Sequence, residues 1–426
     1  MTILIFIVAL LASMAIGLPI AYALLMAAIA LMFQLDLFDP QILAQNLVGG
    51  ADSFTLLAVP FFMLAGEVMN SGGLSRRIVN FALAMLGHVR GGLGYVTIVA
   101  AAILAALSGS SAADAAALGA LLVPMMVRAG HDKGRSVGLV ASGAIIGPII
   151  PPSIAFILLG VTANLSISKL FMAGIAPGLI FGLGLAFTWY LVTLKEKVEV
   201  KERATAAERW KAFRESIWAL GLPVIIIFGL KLGLFTPTEA AVVAATYALF
   251  VAVVVYRELS LRDLYRVFVS SAKVTAAVIF MVAAALVAAW MITIADLPGQ
   301  IVDLLAPFME SPRLLMLIIM LIVIAIGMAM DMAPTILILG PILVPVVREA
   351  GIDPIYFGVL LVINTSIGLI TPPVGTVLNV TAAVTRTSMQ TVIRGVWPFI
   401  LAELAMLGLM IVFPQLVTVP AGWLIR

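Results

Sequence analysis

Apolar residues in this chain fall into long runs separated by short polar or charged stretches. Ile3–Phe33 is apolar almost throughout, and its main interruption at Gly17-Leu18-Pro19 leaves one long tilted helix or two short ones. The pattern predicts further spans at Phe54–Met69, Leu170–Leu194, Ile217–Phe235, Glu239–Val255, Val274–Ala295 and Val396–Val417. Leu74–Arg90, Arg257–Lys273 and Leu297–Ser311 are amphipathic instead and suit helices lying at a membrane interface. Leu35–Ser53 carries Asp36, Asp39 and Asp52 and no basic residue.

Two stretches fit neither pattern. Leu93–Leu107 is apolar but holds 15 residues, fewer than the roughly 20 that a full crossing needs. It ends in Ser108-Gly109-Ser110-Ser111, and Ala112–Val127 resumes the run. Leu314–Ile326 and Pro334–Val347 do the same around Gly327–Asp331. Both read as re-entrant hairpins, whose irregular tips are tolerated at membrane depth only when buried in protein or lining a cavity. After each hairpin comes an apolar span interrupted by paired prolines. These are Val137–Asn164, broken at Gly147–Pro152, and Phe357–Val384, broken at Gly368–Pro373. Proline removes an amide donor and clashes with the preceding turn, so each pair forces unwound backbone. The similarity is a duplication: Leu122 and Leu343, Gly147 and Gly368, and Pro177 and Pro398 are each 221 positions apart.

Composition puts both copies in a membrane. The chain is 63% hydrophobic and 11% charged, with mean hydropathy +1.22, whereas a soluble domain is about 25% charged. The net charge of +3 is small and its basic residues sit in loops, so no nucleic-acid partner is implied. Met1–Phe33 is too long for a signal peptide and lacks a basic leader, so it is expected to remain as membrane helix. The loop Arg128–Arg135 holds three basic residues against Asp132, while its copy Glu349–Tyr356 holds two acids and no base. Under the positive-inside rule the first loop is cytoplasmic and the second is not. Lys195–Glu215, Arg257–Lys273 and Arg386–Arg394 then fall inside, and Leu35–Ser53 and Asp296–Arg313 outside. The two copies therefore have opposite orientation. The expected fold is an all-α polytopic membrane protein built as an inverted repeat, with two re-entrant hairpins and two broken helices. Its parts are scaffold and arm helices at 1–92, the first hairpin and broken helix at 93–164, and a spanning helix at 165–194. A cytoplasmic linker at 195–216 precedes the second scaffold and arms at 217–313, the second hairpin and broken helix at 314–384, and a last span with the C-terminus at 385–426.

Matching helix breaks in a membrane duplication are the signature of a secondary transporter, with sites where the copies meet. Carbonyls freed by the prolines are hard donors for a desolvated sodium ion. Amides at half-helix N-termini carry partial positive charge and hold a carboxylate. Asp331 is a carboxylate inside an apolar stretch, with Arg313 and Arg348 at the hairpin's outer ends. An unpaired charge there costs at least about 2.5–3.5 kcal/mol. A bound sodium is the economical partner, and a protonated structural carboxyl is the alternative. Asp114 reads either as a ligand or as an acid in the first helical turn. Ser108, Ser110 and Ser111 read as ligands or as small residues permitting close packing. Ser110, Ser111, Ser153, Thr335 and Thr376 are the candidate substrate contacts. His88 and His131 read as surface histidines. An intramembrane enzyme is disfavoured: no Gly-x-Ser-x-Gly occurs with a buried histidine, and with no cysteine and two histidines there is no metal-ligand cluster.

The stretches ADSFTLLAVPFFMLAGEVMNSGGLSRRI, SGSSAADAAALGALLVPMM, GPIIPPS, LSISKLFMAGIAPG, GLFTPTEA, DPIYFGV and GLITPPVG resemble, across essentially the whole chain, the large membrane subunit of tripartite ATP-independent periplasmic (TRAP) transporters. The resemblance implies an elevator-type transporter of the bacterial inner membrane, coupled to sodium and needing no other cofactor. It implies a small four-helix membrane subunit and a periplasmic binding protein that delivers an organic-acid anion, either a carboxylated sugar or a C4-dicarboxylate. Since the chain opens directly at the large-subunit start, the small subunit is expected to be separate. By the same resemblance one sodium lies at Ser108 with Gly147, Ile149 and Pro152, and another near Asp331 with Gly368 and Thr371. Sodium-dicarboxylate carriers have a similar plan but a Ser-Asn-Thr tip in place of Ser-Gly-Ser-Ser. A stand-alone sodium- or proton-coupled anion carrier of this fold is the competing reading.

Overall fold

A computed structural model of the chain describes residues 2–194, 196, 198 and 202–425, without the side chains of 106–108. The described residues form helices only. The first half runs α1 (Thr2–Ala15), α2 (Ile20–Gln34), α3 (Pro40–Ala51), a 3-10 turn (Phe54–Leu57), α4 (Ala58–Ser71), α5 (Leu74–Leu86), α6 (Gly92–Ser108), α7 (Ser111–Arg128), α8 (Lys133–Ala144), α9 (Ile154–Thr162) and α10 (Ile167–Thr193). The second runs α11 (Ala206–Lys231), α12 (Pro237–Phe250) with a π turn (Val251–Val255), α13 (Leu261–Ile294), α14 (Leu297–Met309), α15 (Pro312–Gly327) and α16 (Met332–Glu349). It ends with α17 (Pro354–Gly368), α18 (Thr376–Val384), α19 (Met389–Val412) and α20 (Gln415–Ile425). Among the described residues, eight helices are long and apolar enough to cross a membrane.

The opening apolar run resolves into two helices. Gly17 takes a left-handed φ of +87° and Pro19 has no amide to continue α1, so α1 and α2 fold back on each other. The duplication extends beyond the motifs that reveal it in the sequence. Every element from α3 to α10 has a second-half counterpart in the same order. One difference is informative: α13 is a single helix where the first half has α3, the 3-10 turn and α4. Gly49-Gly50 and Asp52 end α3, whereas the matching Ser270-Ser271 and Lys273 let α13 continue. Gly50 is also a packing position, since a Cβ there would stand 3.1 Å from the Ala283 Cα of α13.

Helix contacts divide the chain into two bundles. In one, α13 packs on α2, α3 and α4, α12 on α4, and α11 on α5. In the other, α19 packs on α8 and α10, the hairpin α15–α16 on α17, and α6–α7 on α8. The second bundle reaches the first through the hairpins and α9: α6 meets α4 and α5, α9 meets α4 and α13, and α16 meets α13 and α14. The repeat-related α10 and α19 run in opposite directions: Gly184 lies against Met406, while Trp189, further along α10, stacks on Phe399, further back along α19.

Two features differ from expectation. The charged segment after α10 is not all linker. A capping box between Thr205 and Glu208 starts α11 at Ala206, eleven residues before the apolar run begins. His131 is not a surface residue but 5% exposed. Its Nδ1 lies 2.8 Å from Glu196 Oε2 and its ring against Trp189.

Arg128 and Glu349 are repeat-equivalent, exposed, and end α7 and α16. In this naturally cysteine-free chain, Arg128→Cys should react with a membrane-impermeant thiol reagent only from the cytoplasmic side. Glu349→Cys should react only from the opposite side. Labelling of both from one side would show that the two halves are not inverted.

Candidate functional site

Each hairpin tip is built by a side-chain cap on its second helix. Ser110 caps α7, its hydroxyl accepting from the Ala113 amide at 3.4 Å. The repeat-equivalent residue is Asp331, whose Oδ1 accepts from the Met332 amide of α16 at 2.9 Å. The two caps hold helix N-termini, the positive ends of the helix dipoles, at the two tips. Asp331 is exposed at the tip and forms no ion pair among the described residues. Thr376, the first residue of α18, donates to its Oδ1 at 3.4 Å, and Thr335 donates to its carbonyl at 2.8 Å. Asp331, Thr335 and Thr376 are therefore brought together, across the hairpin and the second break.

The breaks are unwound where the prolines stand, and Pro151-Pro152 and Pro372-Pro373 both have cis bonds. Each break is covered by its own hairpin. A Cβ on Gly147 would stand 3.4 Å from Asp114 Oδ2 and 3.8 Å from the Ser111 amide, so α7 lies directly over the first break. Asp114 is 1% exposed and belongs to this covered surface. Gly109, with φ +59°, turns the tip beside the Pro152 carbonyl, which would lie 3.4 Å from a Cβ at that position. In the second half a Cβ on Gly368 would come within 2.8 Å of the Gly327 backbone, so the end of α15 meets the break with no side chain between.

The candidates thus fall into two groups: Ser111, Asp114 and Gly147 in the first half, with Pro152 beside Gly109 at the tip, and Asp331, Thr335 and Thr376 in the second, with Gly368 against the Gly327 backbone. Three others sit apart. The Ile149 carbonyl stands against Gly174 of α10, so close that any side chain there would overlap it. Ser153 caps α9, donating to the Pro148 carbonyl at 2.5 Å and accepting from the Phe156 amide at 3.3 Å. Its hydroxyl is committed to its own segment. Thr371 donates to the Ile367 carbonyl at 2.7 Å. Thr365 and Ser366, just before the second break, donate to carbonyls four residues back in the same way. A hydroxyl so engaged still offers lone pairs to a cation. The Ser108 hydroxyl lies outside the described residues.

The halves interlock next to these clusters. α9 packs on α16 of the other hairpin at Gly340, where a Cβ would stand 2.9 Å from Leu159 Cδ1. α18 packs on α7, and a Cβ at Gly119 would stand 3.5 Å from Thr385 Cγ2, just beyond the end of α18. Gly119 and Gly340 are repeat-equivalent, and their identity in both copies was the signal available in the sequence. Asn364 ties α17 to α15 through its Nδ2, 2.6 Å from the Met320 carbonyl. Glu403, fully buried in α19, also escaped the sequence reading, although an acid inside a long apolar span marks itself.

The backbone contact gives an asymmetric expectation. Gly368→Ala should lower stability by about 1–3 kcal/mol through overpacking and open the second tip. Gly327→Ala faces nothing nearer than 3.6 Å and should change stability by less than about 1 kcal/mol. Thermal unfolding of the two purified variants compares them. Equal losses would show that Gly368 is not the tight side of the contact.

Residues 7–416 match the model of the family described as "Tripartite ATP-independent periplasmic transporter, DctM component". The 2,3-diketo-L-gulonate TRAP transporter large permease protein of Escherichia coli K12 is 56% identical over 424 residues, covering all of both chains. The C4-dicarboxylate TRAP transporter large permease protein of Pseudomonas aeruginosa is 39% identical, covering 91% of this chain and 92% of its own. Among solved structures, the Alcanivorax borkumensis YdaH transporter superposes with a TM-score of 0.66 over 91% of both chains at 16% identity, a likeness of fold alone. The chain belongs to the DctM component family, the large permease subunits of TRAP transporters, and is a membrane transport protein rather than an enzyme.

Proposed function

We propose that this chain forms the transport pathway of a sodium-coupled importer of a carboxylated sugar. It works with a small four-helix membrane subunit and a periplasmic binding protein in the bacterial inner membrane. The observation that carries the reading is that each hairpin tip closes on a helix break in its own half, with caps at equivalent positions. This supports a cation at each break, held by unwound carbonyls and the oxygens of Asp331, Thr371 and the serines of the first tip. It supports an anion facing the N-termini of α7 and α16. The division into a bundle bearing hairpins and breaks and a second bundle of long helices supports an elevator motion of the first against the second. The carboxylated sugar follows from the relative that is 56% identical and named for 2,3-diketo-L-gulonate.

No Arg or Lys occurs in the tips or breaks, so no bidentate clamp selects a carboxylate there. Selection then falls to the binding protein, which docks outside and biases the open state. Proteoliposomes holding this chain alone should take up nothing measurable. Adding the small subunit and the binding protein should give uptake driven by an inward sodium gradient. Uptake by the chain alone would support the stand-alone carrier. Uptake by the full assembly without sodium would remove the coupling ion.

Asp331→Asn keeps a good N-cap while deleting the charge. It should therefore preserve folding and weaken apparent sodium affinity about tenfold or more, as loss of an interaction to a charged group worth about 1.5–3 kcal/mol implies. Wild-type sodium dependence in this variant would take Asp331 out of the site.

A further inference from the structure

Glu403 stands apart from everything described above. It lies midway along α19 with 0% of its surface exposed, and neither carboxyl oxygen has a hydrogen-bond partner. Its repeat-equivalent residue is Gly182, so symmetry does not require an acid there. The polar group facing it is the Ser142 hydroxyl of α8, itself buried and without a hydrogen bond. Three buried oxygens thus meet at one place in an otherwise apolar interface.

That interface is closed by backbone contact. Gly134, Gly138 and Ser142 form one stripe along α8. A Cβ on Gly138 would stand 2.7 Å from the Gly395 carbonyl, and one on Gly395 would overlap the Gly134 backbone. The charged groups on the surrounding helices are engaged or point elsewhere. On α8, Lys133 donates to the Arg386 carbonyl and Arg135 pairs with Glu196, both at the cytoplasmic end. Arg394, on α19 itself, lines the pocket beside Arg135. Lys169 of α10 and Arg313 of α15 are exposed near helix starts. On α17 the titratable group is Tyr356, whose hydroxyl donates to the Met410 carbonyl. Neither α18 nor α20 carries a charge.

An isolated carboxylate buried this way would cost far more than the fold can supply, and such a group neutralises instead. A sodium ion is the other way to neutralise it, but a hard cation collects about six or more oxygens. Among the described side chains only three oxygens are here, those of Glu403 and Ser142. We propose that Glu403 and Ser142 form a closed proton-binding site inside the bundle that carries the hairpins. The carboxyl holds a proton between its own oxygens and the Ser142 hydroxyl, and that proton exchanges with water only when α8 and α19 part.

This goes beyond sodium-coupled import and does not depend on it, so its test needs neither substrate nor partner. The purified chain in lipid nanodiscs, with glutamate carbonyls isotopically labelled, is read by infrared spectroscopy at neutral pH. Expected is one labelled band of a protonated carboxylic acid that resists deuterium exchange and is unchanged by added sodium. It should be lost in Glu403→Gln and shifted to higher frequency in Ser142→Ala. If Glu403→Gln fails to fold, the Ser142→Ala shift still assigns the band. Absence of a protonated band in the wild type, or no response to either variant, overturns the proposal. Loss of the band on adding sodium replaces it with a cation site.

Discussion

A peptide group without a hydrogen-bond partner at membrane depth costs several kcal/mol, and the rest of this structure follows from meeting that cost at four places. The chain unwinds twice in each half, at a hairpin tip and at a proline-paired break. Each break is then covered by the hairpin of its own half at glycine positions, where backbone lies on backbone. Gly368 against Gly327 is the plainest case, since even a methyl group would intrude. A spanning helix would pass the break, whereas a helix that stops and turns can cap it.

The same economy joins the halves. Gly119 and Gly340 admit the ends of the opposite broken helices, and the glycine stripe of α8 admits α19. The hairpin-bearing bundle is held together mainly by shape, through dispersion and close approach, as expected where lipid is as apolar as the protein. Ion pairs lie at its margin. Glu196, just beyond α10, receives both His131 and Arg135, while Arg90 donates to the Leu194 and Glu196 carbonyls. This pins the start of the connecting segment to the bundle before the chain crosses to α11.

Much of this was legible in the sequence because its causes are local. Paired prolines and short apolar runs each force one backbone outcome, and an ungapped duplication shows each outcome twice. What the sequence hid depended on neighbours brought from afar. Asp331 looked like a stranded charge because the Thr376 hydroxyl reaches it only once the tip and the break meet. Ser153 looked available because the unwound backbone that lets its hydroxyl donate to the Pro148 carbonyl has no periodic pattern to announce it. His131 looked superficial because Trp189 of α10 and Glu196 just beyond it reach it from a distant part of the chain. Periodicity placed the spans, but it could not show that α13 continues where α3 and α4 are separate, a difference that rests on Gly49-Gly50 against Ser270-Ser271.

The two tips are related but not equivalent, and the difference bears on how they can act. At matching positions the first half has Ser110 and Asp114, and the second has Asp331 and Thr335. These matched positions therefore carry one hydroxyl and one carboxylate, one helical turn apart, in opposite order. In the first, the carboxylate is buried against Gly147 and the hydroxyl caps the helix. In the second, the carboxylate caps the helix at the exposed tip and the hydroxyl is buried. Asp331 stands at the surface of the hairpin, whereas Asp114 lies beneath it, 1% exposed. Since a charge at the tip is screened by water and one beneath it is not, the same chemical pair gives two environments of different depth. An inverted repeat would otherwise present identical ends to the two sides of the membrane. This exchange of order makes the two ends chemically different.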